Sequence, residues 1–170
     1  MRDERAQHLR LPGDVIRHPA LLAFICRNYG QDAQTCWYFQ NGPQKVYVTL
    51  EATPFIARTD PLCGFVLHTG EPMSRPERAW ITDEGIFILK ENDRIAQIDD
   101  RDIAECLTNL RLDGAKLADE RLLAWLADPL AAGHLSLMLG EQTIAVEKLV
   151  NPDLPAFFGY QPNPTAIAAG

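Results

Sequence analysis

Between Arg78 and Leu110, three short apolar segments, residues 79–82, 85–89 and 94–98, are divided only by the polar turns Asp83-Glu84 and Glu91-Asn92-Asp93. Segments this short, arriving in runs instead of alternating with long helices, predict an α+β fold. Its sheet is expected to be mixed and mainly antiparallel, not parallel and doubly wound.

The flanking sequence repeats the pattern. Residues 35–40 contain Trp37, Tyr38 and Phe39, Asn41-Gly42 signals a turn, and residues 45–51 alternate with Val46, Val48 and Leu50 on one side. The two make a hairpin whose loop, with Pro43 in it, is expected to exceed two residues. Residues 55–58 and 64–68 are shorter strands, and such closeness in sequence favours antiparallel pairing, because parallel pairing needs a long crossover. A last hairpin is expected from Leu135, Leu137 and Leu139 to residues 143–149.

Three helices are predicted to pack on this sheet, at about residues 19–29, 100–110 and 115–127. Pro19 and Gly30 suit the first turn and the end of the first, with Leu22, Ile25, Cys26 and Tyr29 as a buried stripe. Asp99 or Asp100 is expected to cap the second, with Asp102 near the positive end of its dipole. Ile103, Cys106, Leu107 and Leu110 share its face.

One domain over residues 13–150 is expected, after a flexible leader at 1–12 and before a proline-rich segment at 151–170. The prolines there oppose regular structure, while Phe157, Phe158 and Tyr160 suggest partial docking on the body. Glu71 to Pro76 has the composition of a linker, but a boundary there would leave only a short piece ahead of it.

The formal net charge is −7, from 23 acidic against 16 basic residues. A polyanionic partner needs a concentrated basic face, so nucleic acid is not expected. No stretch reaches the length of a membrane helix and no signal peptide is evident, so a soluble protein of the cytoplasm is expected. There Cys26, Cys36, Cys63 and Cys106 would remain free thiols.

Chemistry is sparsely signposted. The cysteines and histidines lack the close pairs of a zinc site, and the glycines form no phosphate loop, so neither a metal nor another cofactor is expected. Cys63 and His68 make the most suggestive nucleophile and base pair, yet an intervening strand would separate them by over about 10 Å. Asp99 and Asp102 are the weaker carboxylate candidates, and cap chemistry already accounts for them. Trp37 and Tyr38 point to opposite faces of one strand, and with Phe157, Phe158 and Tyr160 they are the candidate ligand or partner contacts. A binding or regulatory module acting through protein or small-ligand contacts is the leading expectation. A small-molecule hydrolase or transferase using thiol, histidine or carboxylate is the alternative. The apolar tail also suggests a two-fold homodimer.

Overall fold

Residues 15–128 and 130–164 are described by a computed structural model, so the leader at 1–12 and the chain end at 165–170 lie outside the described residues. In chain order the first elements are α1 (Pro19–Arg27), β1 (Tyr29–Gln31), β2 (Trp37–Asn41), β3 (Gln44–Tyr47), β4 (Phe55–Asp60), β5 (Gly64–Leu67) and β6 (Pro72–Met73). The meander β7 (Arg78–Thr82), β8 (Phe87–Glu91) and β9 (Arg94–Ile98) follows. Then come α2 (Ile103–Thr108), β10 (Leu110–Leu112), β11 (Ala115–Lys116), α3 (Asp119–Ala127), β12 (Leu135–Leu139), β13 (Gln142–Leu149) and α4 (Leu154–Phe158).

The fold is α+β. Strands β1–β2–β3 form a small antiparallel sheet, and the rest form a 10-stranded sheet in the order β11-β10-β12-β13-β7-β8-β9-β4-β5-β6. Within it β13 with β7 and β4 with β9 are parallel, and the other neighbours are antiparallel. The sheet curls until Gly64 of β5 meets Leu139 of β12. A Cβ at Gly64 would lie 3.2 Å from the leucine methyls, and its φ of +85° already favours glycine.

Period-two alternation gives the sheet two apolar faces. Ala79, Ile81, Phe87, Leu89, Ala96 and Ile98 point into the main core, which Cys106 of α2 and Leu122 and Trp125 of α3 close. On the opposite face Trp80, Ile88 and Ile95 form a smaller cluster, covered by Leu154 and Tyr160. The second cluster positions the site described below.

Several local expectations differ from the structure. The predicted stripe on α1 is not buried: no residue of that helix is, and Leu22 remains 41% exposed. Tyr29 leaves the helix altogether and begins β1. The β2–β3 loop is the two-residue type, since Asn41 pairs with Gln44. Gly42 at φ +58° with Pro43 after it suits a type II′ turn, which explains why the proline is tolerated.

Helix α2 is shorter than expected and Leu110 belongs to β10. Asp102 occupies its N-cap position, but its carboxylate makes no cap bond and instead accepts from the Thr59 N–H at 2.8 Å. The tail contains a short helix despite its prolines, because Pro155 falls in the first turn, where no N–H is needed. Asp153 caps it by accepting from the Ala156 N–H at 3.1 Å, and Gly159 ends it at φ +76°. The linker-like stretch is woven in as well: β6 pairs with β5, and Met73 and Pro76 are buried.

Candidate functional site

The predicted thiol and imidazole are placed in separate surroundings. Cys63 Sγ donates towards the Phe65 carbonyl at 3.1 Å and Asp60 Oδ1 at 3.3 Å. Burial, and then the hydrogen bond to Asp60, pushes its pKa up, which opposes thiolate formation. It lines a groove of about 680 Å³ with Asp60, Glu105 and Cys106, and no histidine is among the lining residues. Burial, followed by the charges of Glu105 and Asp102, pushes the Cys106 thiol up to about 12. Cys26, Cys63 and Cys106 are free thiols.

His68 packs instead in an aromatic nest. Its ring lies 4.9 Å from Tyr29 and 5.7 Å from Phe55, and Nδ1 accepts from the Ile56 N–H at 3.2 Å. Burial lowers its pKa, and protonating Nδ1 would remove the acceptor that Ile56 uses. The unfolded chain therefore takes up this proton first as pH falls. The stability His68 contributes is complete above about pH 6.5 and is lost as the pH drops towards the folded pKa. Thermal melting from pH 7.5 to 5.5 is expected to fall more steeply for the natural chain than for His68→Phe. Equal slopes would show that His68 is not the group responsible.

The two aspartates do structural work. Arg101 chelates Asp99 at 2.7 and 2.8 Å, and these hydrogen bonds, against the opposing effect of burial, hold the Asp99 pKa at about 2. Burial opposes ionisation of Asp102, but the Thr59 N–H and the Arg58 guanidinium outweigh it and keep the pKa below the usual range. Neither carboxylate opens on the cleft described next. Among the described residues no group of three or more His, Cys, Asp or Glu side chains is arranged to hold a metal ion.

Four of the five predicted contact residues converge elsewhere. Trp37, Phe157, Phe158 and Tyr160 line one cleft of about 380 Å³ between the small sheet, the central strands and α4. Tyr38 is outside it, 5.8 Å from Tyr47 with Lys45 over its ring. Alternation along β7 and β8 brings Arg78, Trp80 and Lys90 to the cleft, and Ile95 of β9 and Asp93 from the preceding turn join them. The tail is pinned by the Tyr160 hydroxyl, which donates to the Ala52 carbonyl, and by the Gln161 N–H, which donates to Thr35 O at 3.2 Å.

Rings shape the cleft wall. Trp80 meets Phe157 and Phe158 edge-on at 6.0 and 5.1 Å, and its indole N–H donates to Glu147 at 3.2 Å. Thr35, also lining the cleft, has φ +63°, an uncommon conformation for a β-branched residue. The loop around it is held by Asp32 Oδ1, which accepts from the N–H groups of Gln34 at 3.0 Å and Cys36 at 2.9 Å. Backbone strain of this sort collects where a loop shapes a site.

Sequence reasoning passed over Arg78, Lys90 and Thr35, and weighed Asp93 only as a turn carboxylate. The signal for the first two was the alternation itself, since Arg78-Ala79-Trp80 and Ile88-Leu89-Lys90 put a cation and a large apolar residue on one face. What fold and cleft together define is an α+β chain with a small-molecule-sized recess on the second face of its sheet. The chain belongs to the family described as "Protein of unknown function (DUF2946)", whose model matches residues 1–165. No curated protein and no solved structure matches it.

Proposed function

We propose that this protein is a binding module whose ligand is a small molecule held in the cleft between the central strands and α4. The observation that carries the reading is the convergence of Trp80, Phe157, Phe158 and Tyr160 with Arg78, Lys90 and Asp93 on one recess. Ligand sites combine apolar walls with a few placed polar groups in this way. Phe157 is 53% exposed at the cleft although its neighbours Leu154 and Tyr160 are buried, so its ring is available to a ligand. The hydrolase or transferase alternative has less support, since the Cys63 thiol is raised and hydrogen-bonded away from any imidazole.

Titration of the full chain with the neutral fluorophore N-phenyl-1-naphthylamine tests the reading. Saturable binding is expected, weakened about fivefold by Phe157→Ala, the scale of one lost aromatic contact. Leu123→Ala is the control, because Leu123 is exposed on α3 at a different groove. Equal affinity in Phe157→Ala and the natural chain would place the fluorophore elsewhere and remove the basis of the reading.

Location in the cytoplasm and association as a two-fold homodimer belong to the same proposal. The thiols of Cys26, Cys63 and Cys106 support the first. The second is supported by α1, whose apolar residues include none that is buried. Light scattering across a concentration series is expected to rise above 19.0 kDa, and a mass that never leaves that value would sink the dimer. No helix among the described residues is long and apolar enough to cross a membrane.

A further inference from the structure

Resting on the binding reading above, the polar groups of the cleft identify the class of ligand. Across the β7–β8 ladder Arg78 and Lys90 are direct partners, so two cations stand side by side on the cleft face. Like charges placed opposite one another in a sheet repel, and in a chain with net charge −7 such a pairing runs against the average. Glu147 answers only half of it. Its carboxylate takes the Arg78 guanidinium and the Trp80 indole N–H, while Arg78 also lies over the Trp80 ring at 5.1 Å.

Lys90 has no such answer. Its ammonium makes no hydrogen bond or ion pair with a described residue, although Asp93 also lines the cleft. Trp37, another lining residue, has a buried indole N–H without an acceptor among the described residues. The recess therefore offers two unengaged donors, the Lys90 ammonium and the Trp37 indole N–H, beside an apolar wall.

We propose that the cleft takes a small molecule in which one oxyanion, a carboxylate or a phosphate, is joined to a flat apolar body. Lys90 holds the oxyanion, and the exposed Phe157 ring with the half-buried Phe158 beside it holds the body. Arg78, already engaged by Glu147, adds charge to the field without having to leave its partner. Lysine suits the role as a point charge on a flexible stem, which accepts either anion geometry.

Paired probes test this on the full chain. 8-Anilino-1-naphthalenesulfonate and N-phenyl-1-naphthylamine share an anilinonaphthalene frame and differ by the anion. The anionic probe is expected to bind about tenfold more tightly, the scale of one charge-assisted hydrogen bond in a partly screened site. Lys90→Gln should erase that preference while leaving the affinity for the neutral probe within about twofold, and Lys90→Arg should retain it. Competition by 1-naphthoate and by 1-naphthyl phosphate then assigns the oxyanion, the stronger competitor marking it as carboxylate or phosphate. If both probes bind equally and both depend on Phe157, the anion is wrong and the binding module stands. If the preference survives Lys90→Gln, the anion is not held in this cleft. Binding of neither probe overturns both readings, and an unchanged melting temperature in Lys90→Gln guards against misfolding as the cause.

Discussion

Trp80→Ala is expected to lower the unfolding free energy by about 3–5 kcal/mol, the usual cost of removing a buried aromatic side chain. Trp80 is 2% exposed and shares the second apolar cluster with Ile88, Ile95, Leu154 and Tyr160. Its loss strips the edge-on partner from Phe157 and Phe158 and leaves Glu147 without the indole donor. Helix α4 is too short to persist unaided, so its stability comes from this surface. Trp80→Phe keeps most of the apolar area and should lose less than half as much. The midpoint of urea unfolding, with its slope unchanged, measures the effect. Hydrogen exchange at Ala156 and Gly159 should accelerate in parallel. A loss under about 1 kcal/mol would mean that the cluster closes over the gap and that α4 is held by something else.

The class of fold was legible because its strands are short and arrive in runs divided by polar turns. Residues 78–98 carry three short apolar runs divided by polar turns, enough to mark the strands, and the structure buries both faces of the meander. Long-range choices were not legible. The parallel pairing of β13 with β7 joins residues far apart in the chain, and no local pattern announces it. Helix α1 shows a different limit. Periodicity reports that Leu22, Ile25 and Cys26 share a face, but whether a surface exists to cover that face depends on the rest of the fold. Leu110 continued the spacing of Ile103, Cys106 and Leu107, and only the helix end at Asn109 separates it from them. One apolar residue at the end of a short helix reads the same in either element.

The cleft was half legible, for a physical reason. Aromatic residues on a proline-restricted tail announce a docked surface, and Trp37 announces a strand with a large apolar face. The charged half comes from Arg78 and Lys90, which look like ordinary solvated strand residues until the β7–β8 register sets them opposite each other. Cys63 and His68 drew attention through residue type alone. Their surroundings, an aspartate and a carbonyl for one and an aromatic nest for the other, are contributed by neighbours the sequence does not place beside them.

Glu91 shows how burial can reverse a local reading, and its replacement should be the other large effect. In sequence it belongs to the polar turn Glu91-Asn92-Asp93, yet in the structure it is buried at the end of β8. Its carboxylate accepts from the Arg75 N–H at 2.6 Å and from the Arg94 guanidinium. Arg94 in turn donates to the Pro72 carbonyl at 3.1 Å. Glu91 and Arg94 thereby fasten the linker-like stretch around residues 72–76 to the central sheet. Glu91→Ala leaves the Arg75 N–H without its acceptor and Arg94 with only the more exposed Glu71, 4.0 Å away, as counter-charge. Breaking a buried pair typically costs 3–5 kcal/mol, but Arg94 keeps 27% of its side chain exposed, so about 3 kcal/mol is expected. Glu91→Gln retains a carbonyl oxygen for Arg75 and should cost about half as much. Limited proteolysis separates a local from a global effect: cleavage in Glu91→Ala should appear first near Ser74 and Arg75, before the meander opens. Unaltered protection of that stretch, with stability within about 0.5 kcal/mol of the natural chain, would show that β6 is held by its pairing with β5 and by Met73 alone.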